Sequence, residues 1–179
     1  MFNRGVGSRH DDYMTPESAW RAIDEYIPKD KIIWEPFYGN GASGEHLTNL
    51  GCKEVIHIDE DFFDYNKGEV VISNPPFTKK KDILQRLVCE LDKPFILILP
   101  ADVIFTRYFR NIFRDKFEHL QFIIPKKRLQ FIKMNLETGE VLIDEASGKC
   151  NFNCYYYCYK MNLPADLIFI ENDGENNEN

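Results

Sequence analysis

The 179-residue sequence lacks any hydrophobic stretch long enough to cross a membrane. The apolar run Phe95–Leu99 has the length of a strand, whereas a membrane-spanning helix needs roughly 20 apolar residues. The segment MFNRGVGSRH at the start also lacks the apolar core of a secretory signal. The five cysteines therefore favour reduced thiols over a disulfide framework. We expect a cytoplasmic, intracellular protein that does not bind membranes.

A net positive charge is absent as well. The formal charge of −7 excludes a histone-like polycation, and the hydrophobic fraction of 44% excludes wholesale disorder. We predict a single domain over residues 1–170 and a disordered acidic tail over residues 171–179. The charge is unevenly placed, because residues 79–133 contain 13 Lys and Arg against 6 Asp and Glu. This segment fits either a surface that binds a polyanion or an ordinary solvated face.

Short apolar runs alternate with helical patterns along the chain. Strands are predicted at Lys31–Phe37, Glu54–Ile58, Val70–Ser73, Phe95–Leu99 and Leu120–Ile124, and helices at Pro16–Tyr26, Ser43–Leu50, Lys81–Leu91 and Arg107–Phe117. The alternation predicts an α/β fold with a mostly parallel sheet and helices on both faces. The later segments Arg128–Met134 and Phe152–Lys160 are predicted to form an antiparallel C-terminal hairpin at the edge of the sheet.

Three cysteines, Cys150, Cys154 and Cys158, recur at intervals of four residues. The Phe and Tyr residues between them favour a strand, on which four residues span about 13 Å. Sulfurs at that separation cannot share a zinc ion, because Zn–S bonds are about 2.3 Å long. We therefore expect no metal site, and the cysteines are predicted to be small buried hydrophobic side chains.

A glycine-rich segment, EPFYGNGASG at residues 35–44, follows one predicted strand and precedes a helix. Gly39, Gly41 and Gly44 match the G-x-G-x-x-G pattern of loops that bind dinucleotides. Asp59 ends the next strand, 20 residues after Gly39, where such sites use an acidic side chain to bind ribose hydroxyls. The segment predicts a nucleotide-like ligand, and a plain turn between strand and helix is the alternative.

The tetrapeptide Asn74-Pro75-Pro76-Phe77 follows the predicted strand Val70–Ser73. Its two prolines end the strand and hold the following backbone extended. We expect the Asn74 amide oxygen and the proline carbonyls to form a cluster of hydrogen-bond acceptors, with the flat apolar ring of Phe77 beside them. This combination suits a planar ligand that carries an exocyclic NH₂ group.

Together with Tyr13-Met14-Thr15-Pro16, these two motifs resemble those of the S-adenosylmethionine-dependent adenine-N6 methyltransferases, whose catalytic motif is of the NPPF type. In particular, the chain is similar to the short DNA adenine methyltransferases of phages and large DNA viruses. Those proteins pair a Y-x-T-P start with a late K-R-x-x-F strand, here Lys127–Phe131. The resemblance implies a Rossmann-like class I methyltransferase fold and S-adenosyl-L-methionine as cofactor. Glu35 departs from the aspartate that is usual at its position.

The resemblance also implies roles for individual residues. Catalysis falls to Asn74, Pro75, Pro76 and Phe77. Cofactor binding falls to Tyr13, Thr15, Pro16, Glu35, Pro36, Phe37, Gly39, Gly41, Asp59, Asp61 and Phe62. From their charge and neighbours, the residues predicted to contact nucleic acid are Lys79, Lys80, Lys126, Lys127 and Arg128. His57, inside a predicted strand, is expected to be a core histidine.

Methyl transfer to adenine N6 in DNA is therefore expected, with four alternatives left open. RNA is the first, since the chain has no evident target-recognition domain. Methylation of a protein glutamine or lysine is the second, because NPP[FY] motifs also serve amide and amine nitrogens, although it leaves the basic segment unexplained. The third, a nicotinamide-dependent oxidoreductase, gives NPPF no role. The fourth is an inactive subunit that only binds nucleic acid, which would not need both motifs intact.

Overall fold

Nine strands and four α-helices follow one another in the described part of the chain, which comprises residues 13–135, 138–141 and 153–172 of the computed structural model. The strands are β1 (Tyr13–Met14), β2 (Ile32–Trp34), β3 (Glu54–Ile56), β4 (Val70–Ser73), β5 (Phe95–Pro100), β6 (Leu120–Pro125), β7 (Ile132–Lys133), β8 (Cys154–Tyr159) and β9 (Leu167–Ile170). The helices are α1 (Glu17–Arg21), α2 (Ala42–Asn49), α3 (Lys80–Gln85) and α4 (Arg107–Ile112). Helix α3 continues as a π-helical turn at Arg86–Glu90.

Seven of the strands form one sheet, in the order β3-β2-β4-β5-β8-β6-β9. β8 is antiparallel to both of its neighbours, and the other six strands run parallel to one another. The remaining two strands, β1 and β7, pair antiparallel in a small separate sheet. The predicted α/β fold with a mostly parallel sheet is confirmed.

Each face of the sheet carries its own hydrophobic core. In β5, Ile96 and Ile98 belong to the core that includes α1 and α2, whereas Phe95, Leu97 and Leu99 belong to the core that includes α3 and α4. All five side chains are fully buried. A continuous apolar run of this kind is typical of a strand covered on both faces. The predicted helix layers on both faces are confirmed.

The predicted antiparallel C-terminal hairpin is wrong. Within Arg128–Met134, β7 pairs with β1, and β8 lies inside the sheet between β5 and β6. The physical reason is the burial of Tyr156–Tyr159 on both faces of the sheet, which an edge position could not provide. The Tyr156 hydroxyl also requires a partner in the interior, and it donates to the Ala19 carbonyl at 2.6 Å.

Several sequence-based expectations concern residues beyond the described ranges. Cys150, Phe152 and residues 173–179 of the predicted acidic tail lie outside them. Glu171, at the start of that predicted tail, is described and forms an ion pair with Lys126 at 2.6 Å. The division into one domain and a tail therefore stays a prediction.

Candidate functional site

The carboxyl ends of parallel strands meet at one edge of the sheet, and the sequence motifs lie there. The glycine-rich loop follows β2, residues 57–62 follow β3, and residues 74–77 follow β4. β2 and β4 are neighbours, but the chain passes from β2 to β3 on one side and from β4 to β5 on the other, so the two connections run in opposite directions along the sheet. Open α/β sheets bind ligands in the crevice at such a reversal. Motifs that are distant in sequence therefore border one crevice.

The glycine-rich loop has a geometry that larger residues would disturb. Gly41 has a φ of 88°, a left-handed conformation that favours glycine, and its N–H donates to the Tyr38 carbonyl at 2.8 Å. Gly44, in the first turn of α2, packs against His57, so that a Cβ there would lie 2.5 Å from the imidazole ring. A Cβ on Gly41 would likewise lie 3.2 Å from the Tyr38 hydroxyl, so both glycines allow neighbouring side chains to pack closely against the loop.

The upstream segment, β1 and the two residues after it, lies beside the glycine-rich loop. Met14 makes the contact, since a Cβ on Gly39 would stand 3.1 Å from the Met14 sulfur. Of the residues predicted to bind a cofactor, Thr15 is buried, and Tyr13 and Pro16 are half-buried. The segment thus joins the crevice although it precedes the loop by a strand and a helix.

Glu35 directly follows β2 and is only 1% exposed. Its Oε1 accepts hydrogen bonds from Ser73 Oγ, at the end of β4, and from the Phe37 N–H at 3.0 Å. Burial raises the pKa of Glu35 to about 8, although both hydrogen bonds oppose this shift. At neutral pH the carboxyl group is therefore mostly protonated, and a nearby cation would favour its charged form. The sequence places Glu35 and Pro36 in the site, and Pro36 is buried as well. It gives no signal that Ser73, on a neighbouring strand, is the hydrogen-bond partner of Glu35.

His57, directly after β3, lies in the wall of the crevice. Its Nδ1 is 2.8 Å from the Glu35 carbonyl oxygen, and its ring stacks on Tyr38 with centroids 4.8 Å apart. Its Nε2 is buried and has no hydrogen-bond partner among the described residues. His57 is half-buried and only partly satisfied, so the expectation of a core histidine is corrected. Sequence reasoning missed this nitrogen because the neighbours that enclose it come from another loop.

The acidic residues after β3 differ in what they offer to a ligand. Asp59 is exposed at the rim of the crevice. Asp61 uses its Oδ1 to accept the Phe63 N–H at 2.9 Å, which stabilises its own turn. Phe62 is 1% exposed and packs against Phe37 with ring centroids 5.1 Å apart. Asp59 is therefore open to a ligand, whereas Phe62 supports the loop from the core.

The turn after β4 contains an unused acceptor. Asn74 Oδ1 is buried and accepts no hydrogen bond from any described residue. Pro75 is buried, and the Pro76 carbonyl accepts the Lys79 N–H at 3.1 Å as the chain enters a 3-10 turn. Phe77 is half-buried and packs against the core of α1 and α2. Leaving a buried acceptor unpaired costs about 1–3 kcal/mol, and a donor on a ligand would remove that cost.

The basic residues beside this turn face different surroundings. Lys80 is half-buried, and its Nζ donates to the Phe77 carbonyl at 2.9 Å, so it stabilises the turn itself. Lys79 is exposed, with its ammonium group 6.0 Å from the centre of the Phe63 ring. Of these two predicted nucleic-acid residues, Lys79 is the more accessible to a phosphate.

The second basic group, Lys126–Arg128, follows β6 at the same edge of the sheet. β6 lies three strand spacings from β4, or about 14 Å. All three side chains are exposed. Lys126 pairs with Glu171, and Arg128 Nε donates to Asn153 Oδ1 at 2.9 Å. Part of the positive charge of this group is therefore already compensated within the protein.

Two wider properties concern the described ranges as a whole. No group of three or more His, Cys, Asp and Glu residues in those ranges is placed to hold a metal ion. Cys154 and Cys158 are buried in β8. No helix in the same ranges is long and apolar enough to cross a membrane.

No family model and no curated protein matches this chain. A solved structure from Listeria monocytogenes carries the provisional description of a class I S-adenosylmethionine-dependent methyltransferase. It aligns over 93% of this chain and 67% of its own length, at 12% identity and a TM-score of 0.44. A likeness this distant is not evidence of a shared activity.

Proposed function

We propose that the protein transfers a methyl group from S-adenosylmethionine to the N6 amino group of adenine, with DNA as the first candidate polymer. The observation that carries the proposal is the Asn74 amide oxygen, buried and without a partner in the described chain, at the carboxyl end of β4. An acceptor in this state favours a ligand with N–H donors. The exocyclic amine of adenine has two such donors.

The crevice next to Asn74 offers the groups that S-adenosylmethionine requires. The glycine-rich loop borders this crevice, Asp59 offers an exposed carboxylate to ribose hydroxyls, and Glu35 offers a buried carboxyl group to the methionyl amino end. His57 adds a buried nitrogen that lacks a partner within the described ranges. When bound, this cofactor supplies a methyl group activated by its attachment to a sulfonium.

The turn after β4 would orient the accepting amine. An aromatic amine is a weak nucleophile, because its lone pair is delocalised into the ring. Hydrogen bonds from its two N–H groups to Asn74 Oδ1 and the Pro75 carbonyl would localise the lone pair and aim it across the crevice. Because this oxygen is buried, the Asn74 amide would have to rotate before it meets the base. Phe77 would stack on the base, which must leave a duplex for chemistry at N6.

RNA and protein side chains remain the competing acceptors. The exposed cations Lys79 and Lys127 lie at the same edge of the sheet as Asn74, which favours a polyanion over a protein. DNA and RNA are both polyanions of this kind. A nicotinamide cofactor would leave the acceptor cluster after β4 without a role.

The test is to supply S-adenosylmethionine with a tritiated methyl group to separate pools of DNA, RNA and protein. The labelled product is then identified by mass. We expect N6-methyladenine in DNA. Label only in protein would contradict the proposal, and tight binding of NAD without binding of S-adenosylmethionine would favour an oxidoreductase.

The Asn74→Ala variant tests the catalytic assignment. Turnover should fall by about 10²–10³-fold, the usual effect of losing one aimed transition-state hydrogen bond, while cofactor affinity should stay unchanged. The control is Asn66→Ala, a change at an exposed site outside the crevice. It should keep the parental rate. Parental turnover of Asn74→Ala would remove the basis of the proposal.

A further inference from the structure

A groove of about 450 Å³ separates α3 from α4. Its lining residues are Lys81, Gln85, Arg107, Tyr108, Asn111 and Ile112. None of the predicted catalytic or cofactor residues lines it. The groove is therefore a second feature of this surface, distinct from the crevice beside the glycine-rich loop.

The polar groups of the groove are arranged in two matching rows. Lys81 and Gln85 lie one turn apart on α3, and Arg107 and Asn111 lie one turn apart on α4. The cations thus occupy the first turn of each helix, and an amide follows on the next turn. The described lining residues include no carboxylate. This composition favours an anionic ligand with several oxygen acceptors.

Tyr108 lines the groove, but its hydroxyl is buried rather than open to a ligand. This phenol also interacts with Thr106 through a side-chain hydrogen bond and with the charge of Asp102. The aliphatic side chain of Ile112 lines the same space, which leaves room for the apolar face of a sugar.

The mouth of the groove lies at the edge of the sheet where the parallel strands have their carboxyl ends, the edge that also carries Asn74. Both helices begin where strands end: α3 follows the turn after Asn74–Phe77, and α4 follows β5 by one short 3-10 segment. Lys81 and Arg107 therefore stand at the end of the groove nearest to Asn74. A chain-like ligand with one unit bound at Asn74 could continue into the groove.

An exposed aromatic side chain lies just before the start of α4. Phe105 is 80% exposed and directly precedes Thr106, the N-cap of α4. Thr106 fixes this turn, since its Oγ1 donates to the Val103 carbonyl at 2.7 Å and accepts the Phe109 N–H at 3.3 Å. Aromatic rings beside cations are typical of surfaces that bind single-stranded nucleic acid, where bases stack and phosphates pair with basic residues.

We propose that the α3–α4 groove binds the sugar–phosphate backbone of an unpaired strand next to the target base. Lys81 and Arg107 bind phosphates, and Phe105 stacks on a flanking base. This inference rests on the proposed function, because it takes nucleic acid as the substrate. It adds a binding site that neither the glycine-rich loop nor the turn after β4 provides.

The test compares two double variants that remove the same charge. Lys81→Ala with Arg107→Ala removes both groove cations, and Lys53→Ala with Arg110→Ala removes two exposed cations outside the groove. Binding of a fluorescent single-stranded DNA oligonucleotide is measured across a salt series. Two lost phosphate contacts should make the slope of log affinity against log salt shallower by about 1.4 for the groove variant, with little change for the control. Calorimetry with S-adenosylmethionine and thermal melting should match the parent for both.

The outcomes separate this inference from the proposed function. If the parent methylates adenine and the groove variant keeps the parental slope, the groove inference is wrong and the proposed function stands. Equal changes in both double variants also overturn the inference, because they would reflect net charge alone. If the parent binds no oligonucleotide and methylates none, the proposed function fails. Binding of an acidic peptide, lost in the groove variant, would assign the groove to a protein partner instead.

Discussion

The buried carboxyl group of Glu35 should make cofactor binding depend on pH in a way that one variant can isolate. With a pKa of about 8, about nine-tenths of the free protein carries a proton on Glu35 at pH 7. A cationic amino group placed beside it would favour the carboxylate and lower this pKa. If the pKa falls to its ordinary 4.5, binding should release about 0.9 proton per site at pH 7 and about 0.1 at pH 9.

Calorimetry in buffers of different ionisation enthalpy measures this proton release. Glu35→Gln keeps an oxygen that can accept from Ser73 and Phe37 but cannot titrate, so its release at pH 7 should be lower by about 0.9 proton. The amino group of the cofactor contributes equally in both proteins and cancels in the comparison. Glu45→Gln, at an exposed position on α2, is the matched control and should behave as the parent. Equal proton release by the parent and Glu35→Gln would refute the placement of a cationic group beside Glu35.

Three further measurements concern the rim of the crevice and the opposite end of the sheet. Asp59→Ala should weaken S-adenosylmethionine binding about tenfold or more, since charge-assisted hydrogen bonds to the ribose are lost. Calorimetry measures this affinity, and an unchanged affinity would exclude Asp59 from the site. Replacing Lys126–Arg128 by alanines should make the slope of log affinity against log salt for single-stranded DNA shallower by about 1.4. This value corresponds to two lost phosphate contacts rather than three, because Glu171 already pairs with one lysine. A slope equal to that of the parent would mean that the three residues form a solvated face. Hydrogen bonds from Lys160, Tyr159 and Lys116 hold the pKa of Asp92 well below its ordinary 3.8. The Asp92→Asn variant should therefore have a free energy of unfolding at pH 7 that is lower by about 1 kcal/mol, a value that allows for the solvent exposure of Asp92. In urea denaturation this difference should shrink as the pH falls below 3.8, because the parent then loses its carboxylate; a difference independent of pH would contradict the assignment.

Local chemistry explains why much of the site could be predicted from the sequence. A glycine at position 41 permits the left-handed backbone of this turn, and Pro75 and Pro76 favour an end to the strand that precedes them. Once the strands are taken as parallel, their carboxyl ends share an edge, which places Asp59 and Asn74 on either side of the glycine-rich loop. The structure therefore has Gly41, Asp59 and Asn74 in the loops after β2, β3 and β4, as the sequence predicts.

Contacts between distant segments could not be predicted in the same way. The pairing of β1 with β7, the bond from Ser73 to Glu35 and the enclosure of His57 each join segments separated by at least one whole strand or helix. No local pattern encodes such partners, because many apolar strands of similar length compete for each position. The buried Tyr156–Tyr159 did carry a usable signal, since a strand that is apolar on both faces belongs inside a sheet.

The position of β8 has a consequence for how the chain reaches its folded state. β8 comes late in the sequence, yet it fills the space between β5 and β6, which precede it. Until residues 154–159 arrive, β5 and β6 each present an unpaired and apolar strand edge, the kind of surface that recruits other chains. Pairings between such remote segments also slow folding, since the loop must close before the contacts form. A nascent or truncated chain that ends before Cys154 should therefore aggregate rather than form a smaller stable sheet, and completion of the core should wait for the synthesis of its last central strand.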